Sequence, residues 1–213
     1  VARRDGIGSL ILTATEAIGA LPKHYFQGVG GGPGPIGVHE MAQRTIEAGF
    51  ASGPVPRQHL SQNAEFCLVH DAWQKRTFEL TPAIESVHPN VYSDLLVNRA
   101  PAYSVRGGLF DMLVESNGAT YAVSYQDAEK ADRLFRETEG IDPLSPGAVA
   151  LASLQQAIYR GEVHRDDTIL LNISGGGQER FMAEHETEVV KPIAVVSKEE
   201  AVRMGRSLTY SSQ

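Results

Sequence analysis

The sequence predicts an α/β domain of three layers, built on a mainly parallel, twisted sheet. Two observations point to this class. Short apolar runs typical of buried strands alternate with longer segments in which apolar residues recur at helical spacing. Two of these runs, 24–29 and 166–174, lead directly into clusters of glycines. Such alternation is characteristic of βαβ units, in which helices cover both faces of a parallel sheet.

The individual elements follow from the same patterns. Helices are predicted over 7–21, 38–48, 124–139, 145–160 and a short segment after Ser197. They are recognised by amphipathic spacing and by capping residues, and the first of them by the stop signal at Pro22. Strands are predicted at 24–29, 56–62, 120–123 and 166–174, the last of them central, with a further edge strand within 188–197. Residues 77–118 are broken by prolines and give no clear pattern.

Composition narrows the class of protein. With 42% hydrophobic and 21% charged residues, the chain is typical of one globular domain over residues 1–213. A net charge of -7 argues against a general binder of nucleic acid or of anionic membranes, because these partners require a basic surface. Cys67 is the single cysteine, which excludes an internal disulfide and a cysteine-rich metal site and favours a cytoplasmic protein. The histidines show no metal-ligand spacing.

The stretch "GVGGGPGPIG", residues 28–37, has an unusually bare backbone. It lies between a predicted strand and a predicted helix. Glycines in that position let backbone N–H groups close around an anion at the N-terminus of the helix. A flexible turn is the simpler alternative.

The kind of anion is not decided by these residues. A nucleotide P-loop needs a Gly-Lys-Ser/Thr ending that this stretch lacks. A dinucleotide fingerprint is present at Gly32, Gly34 and Gly37, but the next strand ends in Ser61 and Gln62, where an acidic partner for the ribose belongs. A cofactor with a single phosphate is the third possibility.

Six stretches spread over nearly the whole chain match one enzyme family in the family's own order. They are "VARRDGIGS", "HYFQGVGGGPGPIGVHE", "PRQHLSQNAEF", "APAYSVRGGLFDMLVES", "EGIDPLSPGAVALASL" and "ILLNISGGG". Together they resemble the later part of the fold-type II pyridoxal-phosphate enzymes of the threonine synthase group, with the greatest likeness to the cysteate synthases. The resemblance implies the large-domain part of that fold and pyridoxal 5′-phosphate as cofactor.

The resemblance also implies roles for individual residues. Cofactor contacts fall on the phosphate loop, on the loop beside the ring and on the hydroxyl that faces the pyridine nitrogen: Gly30, Gly31, Gly32, Gly34, Gly107, Ser174 and Gly175. Substrate contacts fall on Arg3, Arg106 and Gln62, although each of these is also typical of an ordinary surface charge or a polar strand end.

The resemblance implies a lysine that forms the Schiff base with the cofactor, upstream of the phosphate loop. Only Lys23 precedes that loop, and its surroundings do not match, so we expect the Schiff-base lysine to lie outside this chain and the chain alone to be inactive.

The activity implied by the resemblance is conversion of O-phosphoserine and sulfite to cysteate and phosphate. A threonine synthase acting on O-phosphohomoserine is the alternative within the group, and a non-catalytic phosphate-binding or dinucleotide-binding module is the alternative outside it. The expected partners are a small phosphorylated amino acid and further copies of the chain in a homo-oligomer, with no nucleic acid or membrane.

Overall fold

Four parallel strands form the sheet in the computed structural model, which describes residues 2–81, 90–188, 190 and 196–209. The strands lie in the order β3-β2-β1-β4. Their bounds are β1 His24–Gly28, β2 Arg57–Asn63, β3 Ala119–Val123 and β4 Ile169–Leu171. Since all pairs are parallel, their carboxyl ends meet at one edge of the sheet.

The helices are α1 Ala2–Ile18, α2 Pro33–Glu47, α3 Leu68–Gln74, α4 Leu109–Glu115, α5 Tyr125–Glu139, α6 Ser145–Tyr159, α7 Gln178–Glu184 and α8 Lys198–Thr209. The first six, α1 to α6, cover both faces of the sheet. One face of the sheet carries two apolar clusters, built on α1 with α2 and on α3 with α4. A third cluster joins α5 and α6 to the opposite face. The predicted α/β fold with a mainly parallel sheet is confirmed.

Local signals located several helix boundaries. Ser124 caps α5, since its Oγ accepts a hydrogen bond from Asp127 N at 3.1 Å, and Gly140 ends the helix in the left-handed conformation with φ 71°. α6 begins at Ser145, as predicted, and α8 follows Ser197. No described helix has the length and apolarity needed to cross a lipid bilayer.

The strand predicted at 166–174 is shorter than expected, and among the described residues it lies at the edge of the sheet. β4 comprises only residues 169–171 and, within the described part of the chain, pairs with β1 alone. Ile169 is 37% exposed there. The sequence misleads because three consecutive apolar residues are typical of a strand that is buried on both faces.

The chain divides into two compact units, Val1–Arg180 and Phe181–Gln213. All four strands belong to the first unit, and α8 belongs to the second. Within the predicted edge strand at 188–197, residues 189 and 191–195 lie outside the described residues. The assignment of all 213 residues to one domain stays a prediction.

The crossing of α1 over α2 requires a glycine, which gives a test of the packing. A Cβ at Gly37 would lie 2.5 Å from the carbonyl oxygen of Arg4, so Gly37→Ala should push the helices apart and lower the free energy of unfolding by about 1–3 kcal/mol. Gly6→Ala in α1 is the control, because nothing lies within 4 Å of its Cβ and alanine stabilises a helix by up to about 1 kcal/mol. Urea unfolding of both variants measures the difference, and equal stabilities would contradict the close approach.

Candidate functional site

The glycine loop joins β1 to α2 at the carboxyl edge of the sheet. β1 ends at Gly28, and α2 begins at Pro33 with Gly32 as its N-cap residue. Gly32 adopts φ 95°, in the left-handed region that glycine favours, and a Cβ there would lie 2.8 Å from the side chain of Leu109. The loop conformation therefore depends on glycine at this position.

The loop presents free hydrogen-bond donors. Its carbonyl groups help to fix it, since Gly31 O accepts from Ala102 N at 2.9 Å and Gly32 O accepts from Ile36 N. In contrast, no acceptor within the described residues pairs with the N–H groups of the four glycines at 30, 31, 32 and 34. Unpaired N–H groups at the positive end of a helix dipole attract an anion. The loop can therefore bind a phosphate group through its backbone.

A cavity of about 200 Å³ connects the loop with the end of β4. Besides residues 28–35 it is lined by Arg3, Ile7, Gln27, Leu95, Leu96, Pro146 and Ser174. An adjoining cavity of about 620 Å³ shares Arg3, Gln27 and Ser174 with the first and adds Asn172 and Gly175. The structure thus brings Arg3, Ser174, Gly175 and the loop glycines to one place, although they are distant in sequence.

Ser174 is held in an unusual backbone conformation. Its φ of 66° lies in the left-handed region, which is uncommon for a residue other than glycine and persists where the surroundings impose it. Its N–H donates to Asn172 Oδ1 at 2.9 Å, and its Oγ donates to the same oxygen at 3.3 Å. The carbonyl group of Gly175 accepts from Leu144 N at 2.9 Å, which ties the turn to the start of α6. The Ser174 hydroxyl is therefore positioned at the cavity by its neighbours.

Arg3 supplies positive charge to both cavities. The neighbouring Arg4 forms an ion pair with Glu40 at 2.9 Å, whereas Arg3 pairs with no carboxylate in the described part of the molecule. Of these two arginines, Arg3 is the one placed to meet a charged ligand.

Three residues implied by the resemblance lie elsewhere. Gln62 is 1% exposed and its Oε1 accepts from the backbone N–H groups of Val69 and His70, so it caps α3. Arg106 and Gly107 lie in an exposed turn before α4, where Gly107 N donates to the side chain of Asp111 at 2.7 Å. None of the three borders either cavity. Their roles in binding stay predictions.

Sequence reasoning missed a hydrogen-bonded relay beneath the site. Asn172 Nδ2 donates to the hydroxyl of Tyr25 at 2.9 Å, and this hydroxyl donates to Gln27 Oε1 at 2.8 Å. Burial raises the pKa of the Tyr25 phenol well above its usual value, and the bond from Asn172 opposes this only in part, so the phenol keeps its proton. The available signal was a tyrosine and a glutamine on one face of β1, where apolar side chains are the rule.

Sequence comparison identifies the relatives of this chain. No family model matches it. The cysteate synthase of Methanosarcina acetivorans is 44% identical over 202 residues, 92% of this chain and 49% of the relative. That of Methanosarcina barkeri is 41% identical over 199 residues, 91% of this chain and 48% of the relative. This chain is a relative of the cysteate synthases. It spans about half the length of the curated relatives it matches.

Solved structures agree with this relationship at the level of the fold. An L-serine ammonia-lyase from Rhizomucor miehei superposes with a TM-score of 0.64 at 16% identity, covering 82% of this chain and 51% of the lyase. The serine racemase of Dictyostelium discoideum gives a TM-score of 0.57 at 15% identity, over 81% of this chain and 49% of the racemase. The predicted α/β fold with a mainly parallel sheet is therefore one that this chain shares with these enzymes.

Proposed function

We propose that this chain forms the pyridoxal 5′-phosphate site of an enzyme that converts O-phosphoserine and sulfite to cysteate and phosphate. One observation carries the proposal: the free N–H groups of the glycine loop and the hydroxyl of Ser174 border a single cavity. The likeness to cysteate synthases over 91% or more of the chain supports the reaction.

The residues present fit this cofactor. The N–H groups at 30, 31, 32 and 34 would bind its phosphate, and the missing Cβ atoms leave room for the ligand at the backbone. The Ser174 hydroxyl would meet the ring nitrogen. When bound, pyridoxal phosphate supplies an electron sink that stabilises negative charge at the α-carbon of an amino acid. A hydroxyl beside the ring nitrogen, unlike a carboxylate, does not hold that nitrogen protonated, which suits replacement of a leaving group better than transamination.

Substrate binding is assigned to Arg3, whose guanidinium group can form two parallel hydrogen bonds with a phosphate ester. Removal of the α-proton is assigned to no residue of this chain, since no lysine borders the two cavities in the described structure. The Schiff-base lysine and the homo-oligomer implied by the resemblance stay predictions.

The cofactor assignment predicts that binding depends on the phosphate group. The probe is 4′-deoxypyridoxine 5′-phosphate, which lacks the aldehyde and so cannot react with surface lysines. Calorimetry should show binding of this ester, and at least about tenfold weaker binding of phosphate-free 4′-deoxypyridoxine, because hydrogen bonds to a charged group contribute about 1.5–3 kcal/mol. Equal affinities for the two ligands, or preferential binding of NAD, would overturn the assignment.

The reaction itself is tested in an enzyme that includes this chain together with the catalytic lysine. We expect formation of cysteate and phosphate from O-phosphoserine and sulfite. Threonine formed from O-phosphohomoserine, without cysteate, would assign the chain to the threonine synthases instead.

A further inference from the structure

The glycine loop offers an anion no side-chain donor of its own. Residues 30–35 are glycines and prolines, so only backbone groups face a ligand there. Among the other residues that line the smaller cavity, only Arg3, Gln27 and Ser174 carry a side chain able to donate a hydrogen bond. Gln27 packs directly against the loop, because a Cβ at Gly34 would fall 2.5 Å from Gln27 Nε2 and 2.7 Å from Gln27 Oε1. Which of these two atoms is available to an anion depends on the hydrogen bonds of the amide.

The orientation of the Gln27 amide is determined by the backbone N–H of Ser174, which acts on it through the side chains of Asn172 and Tyr25. Ser174 N–H can only donate, so the atom of Asn172 that faces it is the oxygen. The other end of the Asn172 amide is therefore its NH2 group, which donates to the Tyr25 oxygen. Tyr25 then has its single proton left to donate.

The proton of Tyr25 completes the relay. Since it is directed at Gln27, the atom of Gln27 that accepts it must be Oε1. The two N–H groups of Gln27 Nε2 are left over, and they have no hydrogen-bond acceptor among the residues that the structure describes. The Nε2 group of Gln27, and not its carbonyl oxygen, therefore points away from Tyr25.

We propose that Gln27 is a phosphate-binding side chain of this site and that Asn172, acting through Tyr25, is the positioning residue that keeps its N–H groups toward the anion. The proposal rests on the proposed function, because the phosphate is that of the bound cofactor. It adds a side-chain donor to a loop that otherwise binds through its backbone alone. It also gives Asn172 a role at a ligand that it does not touch.

The first test replaces Gln27 with methionine, which has a similar length and no donors. We expect Gln27→Met to weaken binding of 4′-deoxypyridoxine 5′-phosphate by about 10-fold to 100-fold, the effect of losing a hydrogen bond to a charged group. Binding of phosphate-free 4′-deoxypyridoxine should stay unchanged. A variant that weakened both ligands equally would have a general structural defect, and the proposal would be overturned.

The second test reverses the relay without touching Gln27. In Asn172→Asp, one carboxylate oxygen still accepts from Ser174 N–H, but the other accepts the proton of Tyr25. Gln27 must then donate to the Tyr25 oxygen and turn Oε1 toward the anion. We expect Asn172→Asp to weaken binding of the phosphorylated probe by at least about tenfold in the wild-type background.

A double-variant cycle separates this rotation from simple repulsion by the new charge. Charge repulsion acts whether residue 27 is glutamine or methionine, whereas the rotated amide exists only with glutamine. The effect of Asn172→Asp should therefore be clearly smaller in the Gln27→Met background. Equal effects in the two backgrounds would overturn the positioning role.

The two levels of the proposal fail in different ways. If the wild-type chain does not prefer the phosphorylated probe, the proposed function is wrong. If it prefers that probe and Gln27→Met keeps the same preference, the cofactor assignment stands and the role of Gln27 is wrong.

Discussion

Replacing Gly31 with aspartate is expected to abolish binding of the phosphorylated probe, with a loss of about 100-fold or more. The introduced carboxylate would lie beside the four free N–H groups and repel a phosphate at the same place. The fold should tolerate the change, since the nearest atom to a Cβ at Gly31 is Asn98 Nδ2 at 3.1 Å, a donor that can meet the carboxylate. Calorimetry with 4′-deoxypyridoxine 5′-phosphate measures the loss.

Asn117→Asp is the matched control for this substitution. It adds the same charge at an exposed position just before β3, at the opposite edge of the sheet from the loop. Its left-handed backbone, with φ 48°, tolerates aspartate as well as asparagine. We expect wild-type affinity for the control. If both variants lost affinity alike, or if Gly31→Asp kept it, the phosphate would not be bound by the loop.

Acid is expected to destabilise the chain, because hydrogen-bonded histidines are buried on the face of the sheet covered by α6. His24 Nδ1 lies 2.9 Å from His59 Nε2, and His59 Nδ1 lies 2.7 Å from the hydroxyl of Tyr121. Burial, with smaller contributions from the nearby Arg57 and His24, lowers the pKa of His59 to about 3. Burial also lowers the pKa of His24, although Asp167 opposes the effect.

The sign of the pH dependence follows from these shifts. Below the ordinary histidine pKa of about 6.5 the unfolded chain takes up a proton at position 59, while the folded chain does not until about pH 3. The stabilising contribution is therefore complete above about pH 6.5 and declines as the pH falls. Between about pH 7 and pH 5 we expect His59 alone to lower the free energy of unfolding by about 2 kcal/mol.

Urea unfolding at several pH values tests this, with His59→Gln to remove the titrating group and His185→Gln as the control at an exposed histidine. His59→Gln should reduce the slope of unfolding free energy against pH, and the control should keep it.

Four hydrogen-bond contacts connect the carboxylate of Asp167, through His24, His59 and Tyr121, to the carboxylate of Glu162. Two neutral histidines and the Tyr121 hydroxyl supply only three protons for these four contacts. A stability that rose toward about pH 5 would show uptake of a fourth proton and contradict the prediction.

Much of the fold could be predicted because its signals are local. The strand at 24–28, the bare loop and the helix after it follow one another in sequence, and so do the cap at Ser124 and the stop at Gly140. α3 and α4 were missed, because each has seven residues and depends on tertiary contacts. Gln62, for example, caps α3 from β2.

The same distinction applies to the candidate site. The run of glycines can be recognised from the sequence alone, whereas the hydrogen bonds that orient Gln27 cannot. Asn172 and Tyr25 are separated by 147 residues and meet only because β4 pairs with β1. Polar side chains that act through such distant neighbours carry no sequence pattern of their own.

The prolines at the beginning of α2 have a thermodynamic consequence. Pro33 and Pro35 fix their own φ angles, so this turn has few alternative conformations even without a ligand. Little conformational entropy is then lost when an anion binds, and more of the hydrogen-bond energy contributes to affinity. A loop made of glycine alone would keep these donors and add two N–H groups, but it would lose entropy in ordering them at each binding event. The alternation of glycine and proline thus combines close approach to the ligand with preorganisation.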